Sequence, residues 1–197
     1  MKLPKKLLAI DLECTGTDAR VYDVIQIGAV VVGEKWTIDA EFTSYICPLS
    51  DARDSEAMRV NGISEETLAA APEYGLVLDR YEEFAKKVGM PAILAAWGAY
   101  FDIPFSQAYY RRVSRKWPFQ WRCVDLKSIA MWELAKREML QKTDGRPIVF
   151  PGLSRCAELV GFELTGRKHD GLADIKNAVR IIGKFLEREP RDEDFKD

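Results

Sequence analysis

The chain has 197 residues, with 29 basic and 31 acidic side chains and a formal net charge of -2. A composition 47% hydrophobic and 30% charged is that of a globular protein, and the length suits one domain with a sizeable core. No apolar run approaches a membrane span, the opening "MKLPKKLL" lacks the apolar run of a signal peptide, and a near-neutral total leaves any nucleic-acid binding to a local basic patch. Cys14, Cys47, Cys123 and Cys156 are scattered without a C-x-x-C pair. That pattern argues against zinc and for free thiols in a reducing compartment, so a soluble cytoplasmic protein is expected.

The first expected element is a short buried strand, Leu7 to Asp11, with Asp11 and Glu13 where it leaves the core. "YDVIQIGAVVV", Tyr22 to Val32, is rich in Val and Ile and reads as a second strand. "DAEFTSYICP", Asp39 to Pro48, alternates and reads as a third; the short intervals imply antiparallel pairing. Ser64 is placed to cap a helix, with Glu65 and Glu66 near its positive end. An amphipathic helix is expected over Leu78 to Gly89, and an apolar fourth strand over Pro91 to Gly98. Pro104 is suited to the first position of a helix running to about Arg115. "WRCVDL" is a short fifth strand or extended link, followed by a helix from about Asp125 to Glu138. Gln141 to Gly152 reads as a loop, and "LSRCAELVGF" as a short helix ending at Gly161. The last helix, from about Leu172 to Glu187, carries Ile175, Ala178, Val179, Ile182 and Phe185 on one stripe. The polar tail, residues 188–197, reads as frayed. Together these predict one α/β domain over residues 1–197. Its expected architecture is a mixed sheet of about five strands, the first three antiparallel, flanked by helices.

Asp11 and Glu13 are two apart on a strand and so point to one face. Two like charges there repel unless a cation sits between them, and a hard divalent ion takes oxygen ligands. The alternative is that both acids are simply solvated at a strand end. Asp102 follows the fourth strand, and Asp174 lies in the first turn of the last helix, one residue before the apolar stripe begins. Either acid alone also reads as a residue favouring a helix N-terminus. His169, the single histidine, lies five residues before Asp174 in a loop with Gly171.

In this order and spacing the residues resemble the DEDD superfamily of 3′-5′ exonucleases, in its histidine-bearing DEDDh subgroup, DnaQ-like and RNase T-like. The D-x-E motif matches Asp11-Leu12-Glu13, followed by the usual Thr15-Gly16. The second motif matches Phe101-Asp102, and H-x4-D matches His169 and Asp174. "VIQIGAV", Val24 to Val30, and Asn61-Gly62-Ile63 match two further family features. Many members carry His-Asn before the second motif, where this chain has Trp97-Gly98. That variant and the third-motif segment look like the Eri-type branch, which trims structured and small RNAs.

The resemblance implies a ribonuclease H-like fold and a metal-dependent 3′-5′ exonuclease releasing nucleoside 5′-monophosphates. Single-stranded RNA is slightly favoured over DNA, and the 3′ end of the strand is the expected partner. Asp11, Glu13 and Asp174 would hold one Mg²⁺ or Mn²⁺, and Asp11 with Asp102 a second, the two ions clamping an in-line displacement. His169 would be the general base on the attacking water, a role suited to an imidazole, which titrates near neutrality. Leu12, Thr15, Trp97, Phe101, Arg167 and Lys168 are the expected substrate contacts. Tyr100 is a further stacking candidate, and "YYRRVSRKW", Tyr109 to Trp117, reads either as a nucleic-acid face or as an exposed helix end. Three other readings stay open: a DNA exonuclease, an inactive nucleic-acid-binding module, and a structural cation site, in which His169 would have no use.

Overall fold

The computed structural model describes residues 3, 5–140 and 151–187. The expected loop over Gln141 to Gly152 lies outside them except at its last two residues, and the expected frayed tail lies outside them entirely.

Five strands form one mixed sheet in the order β3-β2-β1-β4-β5. They are β1 (Leu7–Cys14), β2 (Val24–Val32), β3 (Ile38–Tyr45), β4 (Leu94–Ala96) and β5 (Cys123–Asp125). The first three are antiparallel, while β4 and β5 join them in parallel. Every residue of β2 is buried, as a strand covered on both faces requires. β3, on the edge, alternates between half-buried and exposed positions.

The period of two along β1 divides the core into two layers. Leu8, Ile10 and Leu12 pack on one face with α3 (Tyr74–Ala85) and α4 (Ala99–Arg112). Leu7 and Ala9 pack on the other with α5 (Leu126–Lys136), α6 (Leu153–Leu159) and α7 (Gly171–Glu187). The α7 stripe of Ile175, Ala178, Val179, Ile182 and Phe185 is fully buried there. Asp11 and Glu13, being odd-numbered, continue the α7 face.

Several boundaries differ from the sequence reading, and β4 is three residues long where a strand over Pro91 to Gly98 is expected. β1 runs on to Cys14, so both acids sit within the strand and not past its end. α1 (Ser55–Asn61), capped by the Asp54 side chain, has no counterpart in the sequence reading; the Ser64 cap starts only a short α2 (Glu65–Ala69). The helix expected from Leu78 begins at Tyr74. Pro104 lies inside α4, which begins at Ala99 behind Gly98 in a left-handed conformation (φ 92°).

Candidate active site

β4 pairs with β1 only as far as Ile10–Ala96. Beyond that point the Leu12 N–H donates to Asp102 Oδ1 at 3.0 Å, so the second-motif acid is tied to the backbone between Asp11 and Glu13. Asp102 occupies the first turn of α4, a helix whose start is capped from a distance. Asp125, at the end of β5, accepts from the Gly98 and Ala99 N–H groups at 3.0 and 3.2 Å through Oδ1. Ser128 Oγ donates to the other Asp125 oxygen.

α7 approaches from the opposite layer. Its first residue lies directly on strand backbone: a Cβ on Gly28 would fall 2.2 Å from the Gly171 carbonyl carbon, and one on Gly171 2.8 Å from the Asp11 carbonyl oxygen. Only glycine at both positions permits that approach. Asp170 starts the helix, accepting from the Ala173 N–H at Oδ1 (3.0 Å) and from the Asp174 N–H at its carbonyl (2.9 Å). The His169 N–H donates to Asp174 Oδ2 at 3.1 Å, and His169 itself is left-handed (φ 57°). One ligand atom each from Glu13, His169 and Asp174 lie within 4.8 Å of one another.

The electrostatics are those of crowded carboxylates. Burial, and then the Asp102, Glu13 and Asp174 charges, push the Asp11 carboxyl well above its ordinary range. Burial and the neighbouring acids raise Glu13 from 4.5 to about 8, against a small opposing pull from Arg167. Burial raises Asp102 to about 7 in spite of its bond from Leu12, and raises Asp174 in spite of its bond from His169. Four acids that destabilise one another's charged forms, all with hard oxygen donors, fit a divalent cation. The four cysteines are free and dispersed, so they form no cysteine-ligated zinc site.

The remaining sequence candidates are placed as follows. Leu12 turns its side chain into the core and is 5% exposed. Thr15 is fully buried, its Oγ1 accepting from the Asp23 N–H. Trp97 is half-buried against the α7-side core, and Phe101 against the α4-side core, with its ring 4.7 Å from Phe105. Phe101 also lines a groove of about 480 Å³ with Thr17, Arg20, Tyr100 and Arg111, and Tyr100 is exposed. Arg167 and Lys168 are exposed; Arg167 Nη1 donates to the Asn61 carbonyl at 2.9 Å, pinning the His169 loop to the end of α1. The reading of Tyr109 to Trp117 as a nucleic-acid face is corrected for most of its residues, while Arg111 is exposed on the groove. Tyr109 and Tyr110 are buried, Trp117 packs against Tyr110, Arg112 pairs with buried Asp23, and Arg115 pairs with Asp79. The sequence reading missed Gln26, Asp125 and Asp170. Their residue types stand out locally, as a lone amide in an apolar strand and two acids immediately before helices, but the partners that give them their roles are distant in sequence.

A model of the exonuclease family RNase_T matches residues 8–182. The chain belongs to that family. That family is one of exonucleases, and the five-stranded mixed sheet with flanking helices is the fold of solved exonuclease domains. The chain is 29% identical to the DNA polymerase III subunit epsilon of Treponema pallidum (strain Nichols) over 147 residues, 75% of this chain and 58% of that one. The match is thus to little more than half of that subunit's length. It is 26% identical to the 3′-5′ DNA exonuclease Cap18 of Escherichia coli over 208 residues, covering 98% of this chain and 100% of the relative. Among solved structures, the nuclease domain of 3′hExo bound to rAMP superposes with a TM-score of 0.76 at 20% identity, covering 95% of this chain and 94% of that domain. No helix among the described residues is long and apolar enough to cross a membrane.

Proposed function

We propose that this chain, as one exonuclease domain over residues 1–197, hydrolyses single-stranded nucleic acid from its 3′ end and releases nucleoside 5′-monophosphates. The observation that carries the reading is the convergence of acids from three distant segments: β1, the start of α4 and the start of α7. Asp11, Glu13 and Asp174 would hold one Mg²⁺ or Mn²⁺, and Asp11 with Asp102 a second. Such ions, when bound, neutralise the attacking and leaving oxygens of the phosphoryl displacement. His169 takes the proton from the attacking water, its loop standing beside Glu13 and Asp174. Arg167 and Lys168 offer positive charge to the phosphates on the same loop, and the groove beside Phe101 and Tyr100 offers stacking surface. Leu12 and Thr15 contribute backbone and shape, since both side chains are buried. Four free cysteines support a reducing compartment such as the cytoplasm.

RNA is degraded at least as well as DNA in this reading, on the strength of the Trp97-Gly98 variant and the third-motif segment. A DNA-directed reading is favoured by one specific observation, the likeness to the Cap18 DNA exonuclease over the full length of both chains. The test is to incubate the protein with 5′-labelled single-stranded RNA and DNA of one sequence in Mg²⁺ or Mn²⁺, at matched salt because phosphate contacts are salt-dependent. A ladder shortening from the 3′ end on both, with RNA at least as fast, is expected. A clear DNA preference transfers the assignment to the second reading, and no shortening of either strand overturns both.

A further inference from the structure

The turn that carries His169 and leads to Asp174 is anchored on the sheet by a buried amide. Gln26 sits in β2, directly opposite Glu13 in the β1–β2 register, and is 2% exposed. Its Nε2 donates to Asp170 Oδ2 at 2.9 Å, and its Oε1 accepts from the Gly171 N–H at 3.2 Å. Both ends of the amide are therefore spent on two consecutive residues of the same turn. Asp170 uses its other oxygen on the Ala173 N–H, so each polar atom in the chain Gln26–Asp170–Ala173 has a partner of the right kind. The close backbone contact at Gly28 and Gly171 sets how near the turn comes to the strands; the amide sets its orientation.

We propose that Gln26 is a positioning residue for catalysis, fixing the His169–Asp174 turn against Glu13 through its two-ended bond to Asp170 and Gly171. The proposal rests on the assignment of His169 and Asp174 to the active site. An amide is required because the turn presents one acceptor and one donor. A carboxylate at position 26 would face the Asp170 carboxylate with no proton between them. An amide at position 170 would oppose donor to donor, and flipping Gln26 would only move that clash to the Gly171 N–H. Exchanging the two groups restores complementarity. The carboxylate, now on β2, would accept from the amide nitrogen on the turn and from the Gly171 N–H, while the amide oxygen still caps the Ala173 N–H. Net charge is then also unchanged.

The experiment compares the native protein with Gln26→Glu, Asp170→Asn and the double variant. Because His169 is the single histidine, its imidazole Cε1–H gives one unambiguous NMR resonance, read without metal. Turnover and KM are measured in parallel on a 5′-labelled single-stranded oligonucleotide with Mn²⁺. Each single variant should shift or broaden the imidazole resonance and lower kcat by about tenfold to a hundredfold, the scale of a small misplacement, with KM within about threefold. The double variant should return the resonance to its native position and kcat to within about threefold of native. A Gln26→Glu protein too unstable to fold leaves the comparison to Asp170→Asn and the double variant, whose recovered folding would itself be the rescue. A double variant no better than the worse single one overturns the proposal, as does a single variant with native resonance and native kcat. If the resonance follows the pairing while turnover never changes, Gln26 orders the turn but has no catalytic role, and the assignment of His169 falls with it.

Discussion

At the residue scale, the raised carboxylates make the metal-free protein sensitive to pH in a definite direction. Glu13 is pushed by burial from 4.5 to about 8 and Asp102 from 3.8 to about 7. A folded state that holds its protons to higher pH than the unfolded chain loses stability as pH rises between the two values. These two groups should therefore cost the chelated protein stability progressively as pH rises from about 4 to about 8, the limits set by Asp102 unfolded and Glu13 folded. Added Mn²⁺ should restore the loss, most strongly at the alkaline end, because bound metal displaces those protons. Thermal unfolding across that range, with and without Mn²⁺, checks it; a Tm that rises from about pH 5 to about pH 8 without metal would contradict it. His169 has a separate expectation. His169→Ala should keep most Mn²⁺ affinity while turnover falls by about a hundredfold or more, the usual scale for loss of a general base. A variant that binds Mn²⁺ many-fold more weakly would instead make the imidazole a ligand, which its closeness to Glu13 and Asp174 permits. These residues are legible in the sequence because their spacing is local: D-x-E on a period of two, and H-x4-D across one helix start. Gln26 is not, since its partners are 144 and 145 residues away.

At the scale of elements, what is legible divides along the same line. The buried β2 and the α7 stripe announce themselves through apolar period. α4 does not begin where Pro104 suggests, because its N-terminal groups are satisfied from another element. Asp125, at the end of β5, supplies the cap that Gly98 cannot, and no local pattern reports a cap 27 residues downstream. α1 escapes for a different reason: it has no apolar stripe, and only Asn61 among its residues is buried. Its value is as a bridge, since Asn61 donates to the Cys14 carbonyl at the end of β1 and accepts from Arg167. The distant cap yields a prediction for α4. Asp125→Ala should cost about 1 kcal/mol of stability, as loss of a helix cap does. It should also lower turnover by loosening the helix that presents Asp102, without changing the substrate's KM appreciably. Urea unfolding and steady-state kinetics on the same preparation measure both, and an unchanged turnover would show that Asp102 is held by Leu12 alone.

At the scale of the molecule, the fold brings three segments to the ends of the central strands from both sides of one sheet. β1 contributes Asp11 and Glu13, α4 arrives on the Leu12 face, and α7 arrives on the opposite face against Gly28. The antiparallel pairing of the first three strands follows from their short connections. The convergence itself is implied by family resemblance and not by any pattern within one segment, because sequence periodicity carries no information about which distant elements meet. The central claim is that convergence on a divalent metal, and a crystallographic measurement tests it most directly. Crystals soaked with Mn²⁺ and a nucleoside 5′-monophosphate should show anomalous density among the Asp11, Glu13 and Asp174 carboxylates, with the phosphate beside it. Manganese bound only elsewhere, with those three carboxylates turned away from one another, would contradict the account.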